Sequence, residues 1–278
     1  MYAGREPSDR RFEFGSNWRR FLSILSEERI AEATASLETK LGPGAFAGAS
    51  FLDAGSGSGL FSLAAMRLGA ERVHSFDYDP ESVGCTAELR RRYFPDDARW
   101  TVERGDVLEP AFLEGLGQFD VVYSWGVLHH TGEMWRALAN VDRLVAPNGL
   151  LYIAIYNDQG ARSRVWRRLK ELYNALPGPL RLPYLLAIAV PRELLQLVRH
   201  LLRRDPMGYV RAWAEYDRGS RGMSRWHDIV DWIGGYPYEV ATPDEVFCFY
   251  RERGYELRDL ETVGRGSGCN QYVLRKSV

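Results

Sequence analysis

The stretch Phe51-Leu52-Asp53-Ala54-Gly55-Ser56-Gly57-Ser58-Gly59 decides the fold. An apolar run through Ala49, Phe51 and Leu52 ends at an acid and then breaks into three glycines spaced two apart. Leu60, Phe61, Leu63, Ala64, Ala65 and Leu68 follow at helical spacing, so the segment reads as a buried strand, a tight turn and a helix. Glycine suits such a turn because the backbone must adopt conformations a Cβ forbids and must approach a ligand closely. A purely structural connection would use the same residues, so the turn acquires meaning only from what surrounds it.

Outward from this turn, strands and helices alternate from Ala49 to Tyr156. The first helix covers about 58–68. A second strand, Val73-His74-Ser75-Phe76, ends at Asp77, and Pro80 opens the next helix in its first turn. A third strand lies near Trp100-Thr101-Val102 and leads into Gly105-Asp106-Val107. The fourth is Phe119 to Ser124, a helix follows over about 133–145, and Pro147-Asn148-Gly149 turns into an apolar fifth strand, Leu150 to Tyr156. This alternation predicts an α/β fold: a doubly wound, mostly parallel, Rossmann-like sheet of seven strands. The last two strands, Tyr255–Thr262 and Gln271–Arg275, form an antiparallel C-terminal hairpin, preceded by a helix capped at Thr242-Pro243-Asp244-Glu245. Residues 160–235 contain no strand pattern and read as a helical insertion: Arg162–Leu176, Leu180–Arg203, Met207–Arg218 and Trp226–Ile233. The expected organisation is an N-terminal helical lid or cap (1–44), an α/β core (45–158 and 236–278) and the insertion (159–235). Phe14, Trp18 and Phe21 share one helical face, which either staples the helix to the core or lids a ligand pocket; residues 22–41 continue as helix to Gly42-Pro43-Gly44.

With 278 residues, 45% hydrophobic and 26% charged, and a net charge of −1, the chain has the composition of a soluble protein without a bulk field for nucleic acid or acidic membranes. Cys85, Cys248 and Cys269 lie far apart, which predicts reduced thiols and a cytoplasmic setting, with no metal cluster. The charged N-terminus lacks the apolar core of a signal peptide, and no run of about 18 apolar residues predicts a membrane span.

The dinucleotide fingerprint G-x-G-x-x-G places glycine where this chain has Leu60; the third glycine comes one residue early, at Gly59. The arrangement D-x-G-x-G-x-G instead resembles motif I of class I S-adenosylmethionine (SAM) methyltransferases. Asp77 and Tyr78 after strand two, and Gly105-Asp106-Val107 after strand three, resemble motifs II and III in order and spacing. Phe119-Asp120-Val121-Val122 and Gly126-Val127-Leu128-His129-His130, with Ala146-Pro147-Asn148-Gly149-Leu150, are similar to the small-molecule branch that includes ubiquinone-biosynthesis O-methyltransferases. Asn148 departs from that branch, which has glycine there. The resemblance covers about 110 residues and says little about 160–235. It implies SAM as cofactor and S-adenosylhomocysteine as product. Implied cofactor-binding residues are Asp53, Gly55, Ser56, Gly57, Gly59, Asp77, Tyr78, Gly105, Asp106, Val107, Ser124 and Trp125. Asp77 would accept the ribose hydroxyls, Tyr78 would pack on adenine, and Asp106 with Val107 would hold the adenine amino group and edge.

Methyl transfer needs an aligned nucleophile and, for a hydroxyl, removal of its proton, which suits histidine. His129 and His130 follow strand four; adjacent side chains diverge, so one of them faces the pocket, with His129 the first choice and a helix-capping role the alternative. His227 is the rival base with Asp228 beside it, unless that segment is simply a helix start. Trp18, Tyr156, Asn157 and Trp226 are the expected acceptor-binding residues, and no metal is expected. The leading function is methylation of a small molecule, first a phenol or quinone precursor on oxygen. N- or S-methylation of a metabolite, a non-catalytic SAM-binding protein and a nucleotide-binding oxidoreductase are the alternatives. Ser124-Trp125-Gly126-Val127 replaces the N-P-P-Y-type tetrapeptide, which argues against nucleic acid. Residues 161–211 carry eleven basic residues around apolar helices, a pattern for peripheral membrane contact, a lid or a homodimer surface.

Overall fold

Ser50–Ala54 forms strand β1, buried except at its first residue, because Phe51, Leu52 and Ala54 face packed layers on both sides. The structure is a computed structural model that describes residues 12, 14–216 and 224–277. Beyond β1, the core continues through helix α3 (Leu60–Arg67), β2 (Arg72–Asp77), α4 (Pro80–Tyr93), β3 (Trp100–Arg104), α5 (Pro110–Glu114), β4 (Phe119–Trp125), α6 (Met134–Arg143) and β5 (Val145–Tyr156). Near the C-terminus β6 (Tyr255–Glu261) and β7 (Cys269–Lys276) complete a seven-stranded sheet of order β3-β2-β1-β4-β5-β7-β6. The pairs among β1–β5 are parallel; β7 runs antiparallel to both β5 and β6. The expected architecture is the one observed. Strand order reverses between β1 and β4, which puts the crevice for a ligand at their carboxyl ends.

Two apolar layers cover the sheet. One packs Leu52, Val122, Leu151 and Ile153 against α6 and against α11 (Pro243–Arg251), which begins with the capping box of Thr242 and Glu245. The other packs Phe51, Val121, Tyr123 and Tyr152 against α3, α4 and the N-terminal helices.

Three local departures have simple causes. The N-terminal helix is not continuous: α1 (Phe14–Leu22) ends, and α2 (Glu27–Leu41) restarts at Ser26, whose side chain accepts a hydrogen bond from the Arg29 amide. Strand β5 already begins at Val145, paired with Phe119; the register then shifts, and the pairing resumes at Leu150 with Val121. Asn148 sits between at φ 62°, a conformation asparagine tolerates better than most residues. The insertion contains α7 (Ala161–Ala175), α8 (Gly178–Leu202), α9 (Pro206–Ala214) and α10 (Arg225–Gly234). The expected end of the third of these, Arg218, lies outside the described residues, as do 1–11 of the expected N-terminal cap. Among the described residues no helix is long and apolar enough to cross a membrane.

Candidate functional site

At the carboxyl ends of the strands lies a cavity of about 1130 Å³, walled by the glycine turn, the ends of β2–β5, α1 and the insertion. One end is polar and made by the core. Gly55, Gly57 and Gly59 all take positive φ (87°, 54° and 81°). A Cβ on Gly55 would stand 2.4 Å from Val127 Cγ1, and one on Gly57 would stand 2.9 Å from the Trp18 indole nitrogen. The turn is held against β2: the Gly55 and Ser56 amides donate to the Phe76 carbonyl at 2.9 and 3.0 Å, and the Gly57 amide donates to Asp77 Oδ2 at 2.9 Å. Asp77 Oδ1 accepts from the Asp79 amide at 2.9 Å. Below the turn the Ser62 hydroxyl donates to the buried Asp53, within a network that includes Ser75 and Trp100. Burial pushes the Asp53 carboxyl up to about 7 and the Asp77 carboxyl up to about 6, the latter against the pull of the Asp79 and Gly57 amides.

Asp53, Gly55, Ser56, Gly57, Asp77, Tyr78, Gly105, Asp106, Val107 and Trp125 all line this cavity. Asp106 Oδ1 accepts from the Leu108 amide at 2.8 Å, and Trp125 Nε1 donates to Gln271 Oε1 at 3.1 Å. Two expected members stand behind the wall. Ser124 is buried and donates to the Ala54 carbonyl at 2.7 Å, locking β4 to β1. Gly59 starts α3 in the left-handed conformation, pressed against Thr86.

The other end is aromatic. Phe12, Phe14, Tyr156, Trp232, Tyr236 and His130 line it. His130, not His129, borders the cavity: both lie on a 3₁₀ turn, Leu128–His130, which sends successive side chains apart. His129 is fully buried, its ring 3.9 Å from that of Tyr156, and its Nδ1 accepts from the Tyr156 amide at 3.4 Å. The expectation that His129 faces the pocket is therefore corrected. His130 Nδ1 lies 2.6 Å from the Pro237 carbonyl, which can only accept, so Nδ1 carries the proton and Nε2 the lone pair. Burial, with the Lys170 charge second, pushes His130 down to about 3, and burial holds His129 well below the ordinary histidine range.

Other expected acceptor residues divide. Trp18 and Tyr156 line the cavity. His227, Trp226 and Asn157 do not. The His227 ring packs edge-on to Phe21, and Asp228 accepts from the Tyr216 hydroxyl at 2.8 Å. Trp226 is 38% exposed, outside the wall. Asn157 is buried and ties the loop after β6, donating to the Gly264 carbonyl at 2.9 Å and accepting from Asn270 Nδ2 at 3.1 Å.

The insertion adds residues that the sequence pattern did not single out. Lys170 is fully buried, its ammonium 4.9 to 5.3 Å from the ring centres of Trp232, Tyr238 and Tyr156, and it donates to the Trp232 carbonyl. Burial pushes it down to about 7, with Asp231 opposing. Asp231 lines the cavity, accepts from Asn17 Nδ2 at 2.8 Å, and is pushed well above the carboxylate range by burial. Arg225 and Glu193 form a largely buried ion pair at 2.7 Å on the same wall, joined by Gln196. Helical periodicity marks these residues as charged members of amphipathic helices; only the packing of α7, α8 and α10 turns them inward. Among the described residues no group of three His, Cys, Asp or Glu is placed to hold a metal ion.

Residues 52–153 match the family model of the methyltransferase domain. These residues form a methyltransferase domain. A ribosomal protein L11 methyltransferase of Methylococcus capsulatus is 41% identical over 73 residues, 26% of this chain and 22% of that protein. A ubiquinone biosynthesis O-methyltransferase of Xanthomonas oryzae pv. oryzae is 32% identical over 111 residues, 40% of this chain and 44% of that protein. The chain thus spans less than half the length of either curated relative. Among solved structures, magnesium protoporphyrin IX methyltransferase from Synechocystis PCC 6803, with bound S-adenosylhomocysteine, aligns over 94% of both chains with a TM-score of 0.54 at 15% identity, a likeness of fold. The methyltransferase domain accounts for the polar end of the cavity. A side chain on Gly55 would press on Val127 and one on Gly57 on the Trp18 indole, while the Asp77 carboxylate at this end is fixed by the Gly57 and Asp79 amides.

Proposed function

We propose that the protein binds SAM at the glycine-turn end of the cavity and methylates a small aromatic molecule at the other, with O-methylation of a phenol as the reaction. The observation that carries this reading is a single cavity of about 1130 Å³ with a carboxylate-and-glycine end and an aromatic end that presents one neutral histidine. Ligand pockets commonly occupy about 300–1,000 Å³, so this volume suits a donor and an acceptor together. Similarity to the ubiquinone-biosynthesis O-methyltransferase supports the same class of acceptor, over the matched part only.

In this reading Asp77 holds the ribose hydroxyls, Tyr78 packs on the adenine face, and Asp106 with Val107 receives its edge. When bound, SAM supplies a methyl group on a sulfonium that leaves without an acid. The chain's own residues then have three tasks. Phe14, Trp18 and Tyr156 exclude water and orient the acceptor ring. His130 Nε2 accepts the hydroxyl hydrogen, its tautomer fixed by the Pro237 carbonyl. The third task is proton removal as the oxygen takes the methyl. A ring whose basicity is pushed down to about 3 is a weak base, so it serves an acidic hydroxyl far better than an aliphatic alcohol. That mismatch is why a phenol, with a pKa of about 10, is preferred here.

The test is a turnover screen with phenols, thiols and amines that reads S-adenosylhomocysteine, on the full chain and on His130→Asn. Turnover of phenols that drops in the variant, with SAM affinity by calorimetry unchanged, is expected. Turnover of thiols or amines alone reassigns the methylated atom, and binding of NAD in place of SAM overturns the reading.

A further inference from the structure

Helix α8 turns its hydrophobic side outward. Leu180, Pro183, Ala187, Val190, Leu194, Val198 and Leu201 recur three and four residues apart and form one stripe along its 25 residues. Leu186 borders the stripe; it, Val190, Leu194 and Val198 are 39% to 55% exposed, and Leu202 beside the stripe is 80% exposed. Only Leu185 and Ala189 of this helix are buried, against the small apolar cluster of Tyr173, Val230 and Ile233. The neighbouring helices add exposed Val165, Leu172, Met207, Val210 and Trp213. A lid folded onto the core would bury this side. A stripe of this length on a water-facing surface marks a contact with something else.

Charge identifies the partner. Exposed Arg199, Arg203 and Arg204 crowd the C-terminal end of the helix, whereas the only acid on α8, Glu193, is paired with Arg225. The net charge of the whole chain is −1, so this is a local cationic field. A second copy laid on the stripe would add a second set of arginines, and Asp205, the carboxylate that follows them in the chain, is already paired with Arg211. Anionic lipid headgroups meet that field, and the acyl boundary meets the leucines. A helix of about 37 Å lying in the interface, not across it, accommodates both.

We propose that α8 seats the protein on the surface of an anionic lipid bilayer. The opposite side of the same helix gives Arg192, Glu193 and Gln196 to the wall of the cavity. A chain seated in this way takes an amphiphilic acceptor from the lipid–water boundary, a step that rests on the methyl-transfer reading, whereas the docking itself does not.

The experiment is vesicle flotation of the full chain with phosphatidylcholine vesicles and with vesicles that also contain phosphatidylglycerol. It is repeated on the combined variant Leu186→Gln, Val190→Gln, Leu194→Gln and Val198→Gln, all exposed positions. Calorimetric titration with SAM on the same samples reports folding and tests the methyltransferase reading separately. The wild-type chain is expected to float at least about tenfold more with anionic vesicles, to be partly released by high salt, and to stay at the bottom when the stripe carries glutamines. Wild-type protein that stays at the bottom overturns the proposal. So does a variant that floats equally well, or sedimentation showing a wild-type dimer that the variant loses, which would assign the stripe to a second copy.

Discussion

His130→Asn tests whether the neutral imidazole at the acceptor end is a property of the fold. Asparagine can keep a donor near the Pro237 carbonyl but cannot titrate. In the native protein His130 is pushed down to about 3, by burial first and by Lys170 second. In the unfolded chain it titrates near 6.5. A base with a depressed native pKa leaves stability intact above the unfolded value and erodes it as pH falls, because only the unfolded state takes up the proton. The slope is about 1.4 kcal/mol per pH unit, so the cost reaches about 2 kcal/mol near pH 5. Because the ring borders an open cavity, this is a ceiling. Urea unfolding of both proteins from about pH 7.5 to about pH 5 reads it directly. The wild-type chain should lose more stability than the variant below pH 6.5, with the difference growing toward 2 kcal/mol. The buried His129 contributes to both curves and cancels. Parallel curves would refute the reasoning and would mean that the native ring takes its proton in the ordinary range.

Asp77→Asn removes the charge that faces the donor site, and SAM affinity by calorimetry should fall about tenfold to a hundredfold, the worth of one hydrogen bond to a charged group. Gly57→Ala meets a φ of 54° and an indole nitrogen 2.9 Å from the new Cβ; a loss of about 1–2 kcal/mol is expected in thermal unfolding, with weaker SAM binding. Lys170→Met removes a cation that holds both neighbouring histidines down, so NMR titration should show His129 and His130 moving upward, with burial still keeping them below ordinary histidines.

The donor end was legible because each of its parts is local. Asp53 and the glycines belong to one strand-turn-helix unit, Asp77 ends one strand and Asp106 follows another; parallel winding alone brings these positions to one edge. Choosing between His129 and His130 needed information that the sequence does not carry, namely which side of a 3₁₀ turn Tyr156 would cover. Lys170, Asp231 and the Arg225–Glu193 pair were illegible for a different reason. Their helices have ordinary amphipathic patterns, and a charged residue within one is read as solvated until tertiary packing encloses it. Asn157 and Ser124 were misread as site residues because a polar residue at a strand end can bind a ligand or a neighbouring loop with equal ease.

Helix α1 has a consequence for the order of events. The Gly15 amide donates to Asp79 Oδ2 at 2.7 Å, at the start of α4, whereas Asn17 donates to the His227 carbonyl and to Asp231 in α10. Less than one turn of helix thus clasps the donor half of the cavity to the insertion that walls the acceptor half. Under the proposed reaction such a clasp would couple the two ligands thermodynamically: if the donor strengthens acceptor binding by some factor, the acceptor must strengthen donor binding by the same factor. A dissociation constant measured for either ligand alone then describes a different clasp from the one that operates during turnover.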